Sequence, residues 1–447
     1  MTLSTPALTE YARVYTYTGT TMNKMAHSHL LTLLIATSLI THPTFAGANF
    51  ESPDSVENTI AENTRQKQGW RENLAKEGLT FGADYLALGV TSPSGSKGNS
   101  VDRSSGIARF YGSWNLIGQE SGNTGGIVWK VEHRHAYSST APKNFAFIDD
   151  IGGGPEGLGY VGMVAPAYND QGFRVTNLHW KQKFNGGKTS LILGWQDVTD
   201  YVDTYALASP WSGFTNLAFS TGAGVMGLPD DGILAISAGH MITDNFYAVA
   251  GIADAKGKSD DIFDGFDTLF NDTTLFTTLE LGWTASQEQI YTDNFHVTLW
   301  HMDEGSRHSL SSSVQPDGTV VGGESGQGIN FSWSQFVTPQ IMPFVRGGIS
   351  EGDVALYDKS LSVGFGYFGL GSPKSNLGFA INWSETNGDT LQRYMGAEEN
   401  QATAEIYYNV QLTEYLQITP DIQYVDNPAL SSEDHAWVFG IRARLFI

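Results

Sequence analysis

The chain has 447 residues, no cysteine, 51 glycines and a formal net charge of −22. The lack of Cys excludes a disulfide scaffold, a thiol nucleophile and any Cys-based zinc or iron–sulfur site, and the acidic balance excludes a nucleic-acid binder, which needs a basic face. Charged residues make up only 16%, against roughly 25% in soluble domains, and the high Gly and aromatic content suits strands and turns.

In chain order, residues 1–21 resemble neither a core nor a targeting signal and are expected to be a start-site extension, with translation beginning at Met22 or Met25. Residues 22–46 form a signal peptide. Lys24, His27 and His29 precede the apolar run Leu30–Ile40, and Thr44 and Ala46 place cleavage at the Ala46/Gly47 bond. That run is shorter than the ~20 residues a spanning helix requires. Residues 47–78 are expected to be a periplasmic segment, polar at first, then one short amphipathic helix over Arg65–Gly78 with Trp70, Leu74 and Lys76.

From Leu79 the period changes to two. Leu79, Phe81, Ala83 and Tyr85 alternate with Thr80, Gly82 and Asp84, and at the far end Trp437, Phe439, Ile441, Ala443 and Leu445 alternate with Gly440, Arg442 and Arg444. About sixteen such segments run from 79–90 to 436–447, each near the ~9–11 residues of a tilted membrane strand; 245–255 and 340–350 alternate poorly. Long connections (91–106, 138–172, 198–231, 256–273, 304–326, 351–359, 387–402, 426–435) interleave with short ones such as Gly186-Gly187 and Thr338-Pro339. The predicted fold is all-β: a roughly 16-stranded antiparallel transmembrane β-barrel over 79–447, with a short N-terminal periplasmic helix. A soluble sandwich or propeller would alternate too, but gives no reason for the loop rhythm.

If apolar positions face lipid, the intervening ones face the lumen. The predicted pore-lining, substrate-contacting set is Arg109, Lys130, Glu132, Arg134, His179, Lys181, Glu280, Trp300, Glu405, Tyr407, Asp421, Gln423, Arg442 and Arg444, with Arg346 assigned inward from a segment of unfixed phase. Mixed charges, amides and rings suit sugars, whose hydroxyls need donors and acceptors and whose C–H faces stack on aromatic planes. The long loop 198–231 carries Tyr201, Tyr205, Trp211, Phe214 and Phe219, too many aromatics for disorder, and is expected to fold inward as the constriction.

The stretch Glu405-Ile406-Tyr407-Tyr408-Asn409, followed by Thr419-Pro420-Asp421-Ile422-Gln423-Tyr424 and Asn427-Pro428, closely resembles the carbohydrate-selective porin (OprB) family. Leu74–Leu79, Leu193-Gly194-Trp195-Gln196-Asp197 and Phe214-Thr215-Asn216 also fit, so the resemblance runs from about residue 65 to the end. It implies a sixteen-stranded outer-membrane barrel of a Gram-negative bacterium, passive sugar entry, and lumen-facing Glu405, Tyr407, Asp421 and Gln423. The turn Leu370–Ser375 departs from the family's pattern. So does the terminal Ile447, with Phe446 one place early, which weakens the signal read by the barrel-assembly machinery.

Enzyme chemistry finds little support. The one Gly-x-Ser-x-Gly match, Gly348–Gly352, lacks the helix that a nucleophile elbow needs. His133 and His135 share a strand face, but one that points outward near a rim, where an interfacial role outweighs a metal site. The expected partners are a carbohydrate, outer-membrane lipid and the barrel-assembly machinery, with no cofactor, no metal and no nucleic acid; a homotrimer is one assembly open to such a barrel. The alternative function is a general or cation-leaning diffusion porin, which the net charge would favour.

Overall fold

The structure is a computed structural model in which residues 69–147, 154–315 and 319–446 are described. The start-site extension, the signal peptide and most of the periplasmic segment lie outside the described residues. The described chain opens with the short helix α1, Gly69–Lys76.

Sixteen antiparallel strands then close into one barrel in sequence order: β1 Leu79–Ser92, β2 Val101–Ile117, β3 Gly125–Ala136, β4 Gly172–Phe184, β5 Thr189–Gln196, β6 Ile233–Met241, β7 Phe246–Asp254, β8 Leu275–Thr284, β9 Asn294–Met302, β10 Gly326–Ser334, β11 Ile341–Gly352, β12 Tyr357–Phe368, β13 Asn376–Thr386, β14 Asn400–Thr413, β15 Leu416–Asp426 and β16 His435–Phe446. Closure is made by β1 against β16, from Asp84 opposite Phe446 to Thr91 opposite Phe439. A closed barrel satisfies every strand's backbone without an edge, which hydrocarbon surroundings demand.

The period of two governs burial as expected. On β12, Leu361, Val363 and Phe365 are exposed on the outer wall while Ser360 and Ser362 are buried inside. Two loops are shorter than expected. β1 and β2 stay paired up to Ser92 opposite Val101, so the 91–106 connection shrinks to 93–100. Likewise β11 and β12 leave only 353–356 between them. The connection between β9 and β10 carries a small hairpin, Ser313–Val314 with Val320–Val321.

The core lies inside the barrel, and loops build it. Phe145, Leu158, Tyr160, Val161, Val164 and Tyr168, from the connection between β3 and β4, pack on inward-facing Leu86, Leu88, Val90, Ile107, Val425 and Val438. The segment between β5 and β6 supplies Tyr205, Leu207, Phe214 and Phe219, which pack on Phe344 and Tyr407 of the wall. The two loops also bind each other: the Leu217 amide donates to the Met163 carbonyl at 2.9 Å, and the Tyr160 hydroxyl donates to Asn216 Oδ1 at 3.1 Å.

Candidate functional site

The predicted constriction loop does enter the lumen: Tyr205, Trp211 and Phe214 are almost fully buried there, and Tyr201 is partly exposed. Its carboxylates, at Asp197, Asp200, Asp203, Asp230 and Asp231, meet basic residues of the wall. At its start, Lys130 Nζ stands 3.2 Å from Asp200 Oδ2 and 3.8 Å from Asp197 Oδ2. At its end, Asp231 Oδ2 accepts from Arg134 Nη1 at 2.5 Å and Arg174 Nη1 at 3.2 Å, while Glu132 holds Arg134 from the other side with a 2.7 Å bond to Nε. Both roots of the loop are therefore docked on β3 and β4.

Halfway across the lumen, Asp203 accepts from Arg346 Nη2 at 2.9 Å and faces His296 Nε2 at 3.0 Å. Glu280 accepts the Asp203 amide at 2.8 Å, the Tyr247 hydroxyl at 2.9 Å and the Thr298 hydroxyl at 2.9 Å. The far side of the loop is seated on the closing strands. Glu405 accepts the amides of Thr215 at 2.7 Å and Asn216 at 3.0 Å, and Gln423 exchanges hydrogen bonds with both side chains while also donating to Asp421 at 3.0 Å. Arg442 donates to the Pro210 and Gly213 carbonyls. The Arg109 guanidinium stacks 4.2 Å over the Trp211 ring and is itself paired with Asp84, which also takes Arg444 Nε at 2.8 Å. Phe214 stands edge-on to Tyr407 at 5.0 Å.

Most of the predicted lumen set is thus assembled as a frame that holds the loop. His179 turns Nδ1 to the Trp195 carbonyl at 3.1 Å. Trp300 is buried among Val198, Val202, Met226 and Val354 rather than on an open wall. Lys181 is partly exposed, with Nζ 5.9 Å from the Tyr201 ring.

Charge fixes the ionisation of the loop's acids. Burial pushes the Asp203 carboxyl upward, but Arg346, His296 and the Gly222 amide outweigh it and hold it below the ordinary value. Asp231 is lowered in the same way, burial being overcome by Arg134, Arg174 and Lys143. Asp197 behaves oppositely: burial and the neighbouring Asp200 raise it well above the ordinary value despite Lys130.

A model of the family described as carbohydrate-selective porin, OprB family, matches residues 96–445. The chain belongs to this family. Over 159 residues it is 26% identical to Porin B of Pseudomonas aeruginosa PAO1, a match covering 29% of this chain and 35% of that relative, so the chain spans about a third of the relative's length. The solved high-pH structure of Pseudomonas putida OprB superposes with a TM-score of 0.65 at 17% identity, covering 85% of this chain and 96% of that one, which shows the shared fold. The OprB-family barrel described above is an outer-membrane porin.

Sequence reading missed several members of this porin's frame. Arg174 lies inward and buried, although the phase that places Asn177, His179 and Lys181 inward would turn it outward. The β3–β4 register slips between Lys130 and Val131, opposite Asn177 and Val175, and this bulge at Thr176 reverses the phase. The inward fold of the β3–β4 loop was also missed. Its signal was Leu86, Leu88 and Val90 at inward positions, which leaves β1 apolar on both faces and in need of an apolar cover. The Gly-x-Ser-x-Gly segment lies on β11, and its Ser350 hydroxyl donates to the Tyr357 carbonyl at 2.6 Å across the hairpin. His133 is exposed on the outer face of β3, and no cluster of three or more metal-ligating side chains occurs among the described residues.

Proposed function

We propose that this porin lets carbohydrates diffuse passively into the periplasm along the β3–β5 wall, beside the inward loop. The supporting observation is where the filling stops: apolar clusters pack the closing strands and the β6–β9 wall, while the partly exposed groups Asp231, Lys181 and Tyr201 lie toward β3–β5. A cation beside a tyrosine ring offers a sugar one hydrogen-bond donor and one stacking plane, which is weak binding of the kind conduction needs. On the periplasmic side of the loop, a cavity of about 30 Å³ is lined by residues that include Ser190, Tyr201, Thr204, Glu280 and Tyr291. The Ser190 and Thr204 hydroxyls there are buried without a partner in a space that holds about one water, so they belong to the packing under the loop rather than to the sugar's path.

This reading requires no cofactor and no catalytic residue. Outer-membrane lipid and the barrel-assembly machinery are its implied partners, and crosslinking in the membrane decides between single barrels and a homotrimer. The test is single-channel current across a planar bilayer, titrated with neutral mono- and disaccharides and then an acidic sugar. Saturable block by one sugar class supports the reading and ranks the substrates. A current indifferent to every sugar would make the channel a general, cation-leaning porin.

A further inference from the structure

On the outer wall, β5 and β6 face lipid until their extracellular ends, where something covers them. Leu193 and Ile236, paired in register, are 52% and 51% exposed; the next outward pair, Trp195 and Leu234, falls to 3% and 8%. The cover is the 255–274 connection between β7 and β8, which bends over the outside of the barrel. Its Gly265 lies on the Trp195 ring, and a Cβ there would meet Trp195 at 2.4 Å and Leu234 Cβ at 3.7 Å, so no larger residue permits the approach. The base of the loop is firmly tied. Ser259 donates its amide and hydroxyl to Asp230 Oδ2 at 2.8 and 2.9 Å, and its carbonyl accepts from the Val175 amide at 3.0 Å.

From this fixed base the helical turns Asp264–Asp267 and Thr268–Asp272 present an apolar face. Phe263, Phe266 and Phe270 are 78%, 53% and 70% exposed. Phe263 stands just ahead of the first turn, Phe266 within it and Phe270 in the wider π-turn that follows, so three exposed rings leave one short segment. Three rings of this size left in water would form an apolar patch beyond the scattered exposure of ordinary surfaces. We propose that this loop is an outer-leaflet anchor, whose three phenylalanines enter the boundary between headgroups and acyl chains. The occupant is lipid because the patch continues the lipid-facing wall: the loop rests directly on Trp195 and Leu234, the next outward positions after exposed Leu193 and Ile236. Amphipathic segments with aromatic anchors bind at that depth of a bilayer.

The inference rests on the outer-membrane reading, and the experiment separates the two. Because the chain has no cysteine, single-cysteine variants F266C, I236C and S313C each accept one environment-sensitive fluorophore. The refolded barrels are placed in phosphatidylcholine vesicles with and without lipid carrying a spin-label quencher near the headgroup. Quenching at position 266 several-fold above that at 313 is expected, with blue-shifted emission. Quenching at 236 but not at 266 overturns the anchor and leaves the porin intact; no quenching at 236 overturns the membrane reading itself. Crosslinking of two F266C chains in the vesicle would assign the patch to a second copy of the barrel and also overturn the anchor. Heat-modifiable migration of each variant verifies that it has folded.

Discussion

Asp203 and Arg346 join the inward loop to the far wall of the barrel through a 2.9 Å ion pair in which neither side chain is more than 1% exposed. The pair hangs on a single guanidinium nitrogen, since Nε and Nη1 of Arg346 are buried without a hydrogen-bond partner. Arg346 also donates to the Asp203 carbonyl at 2.9 Å, and its ring-facing side stacks 4.3 Å from Tyr205. Removing one partner leaves the other buried and unpaired, which costs about 3–5 kcal/mol. D203N or R346M should therefore release the middle of the loop. The expected result is a larger and noisier single-channel conductance with the barrel's heat-modifiable migration retained. Conductance identical to that of the parent would show that the loop does not depend on this tether.

Glu405 provides the second tether, and it acts through backbone. Replacing it with alanine strands the buried amides of Thr215 and Asn216, at a cost of about 1–3 kcal/mol each, whereas E405Q keeps an acceptor in place. The order expected in limited proteolysis of the 197–232 segment is E405A cut fastest, E405Q intermediate and the parent slowest. Equal cleavage of E405A and the parent would show that the apolar contacts of Phe214 and Phe219 suffice.

The sugar route is tested at Tyr201. Loss of a stacking ring is worth about 0.5–1.5 kcal/mol, which is roughly a tenfold weakening at the upper end. Y201A should raise the concentration of sugar that half-blocks the current by about two- to tenfold, while Y201F, which keeps the ring, stays near the parent. Because Trp300 is sealed under apolar side chains, W300F should leave sugar block unchanged.

The barrel was legible because its rule is local. A strand with lipid on one side must alternate, and Leu361, Val363 and Phe365 announce the outer wall without reference to any other part of the chain. Loop rhythm added the direction of the two rims. The interior was legible only in part, since polarity at an inward position says that a side chain is inside but not what it meets. Lys130, Arg134, Arg346, Glu405 and Arg442 are buried inside the barrel, and the loop groups they meet lie up to roughly 230 residues away in sequence, as with Arg442 and Pro210. Arg174 escaped because a single extra residue at Thr176 reverses the phase, and nothing in the residues themselves announces a bulge.

Acidification should loosen the loop, and the sign follows from the direction of each shift. The folded-state values of Asp203 and Asp231 are depressed, so the stability they contribute is present above the unfolded carboxylate value of about 3.9 and is lost as pH falls through the lower folded values. Asp197 has the opposite shift; it binds its proton more readily when folded, so acid favours the folded loop through it rather than loosening it. Conductance should therefore hold steady from neutral pH down to about 4 and change below that, reversibly if the barrel itself survives. D231N should show the altered conductance at neutral pH, because its Arg134 and Arg174 partners lose their carboxylate there. D197N, in contrast, should leave the acid transition where it was. A conductance that stays flat well below pH 3, or a transition that moves in D197N but not in D231N, would refute the assignment of the loop's hold to Asp203 and Asp231.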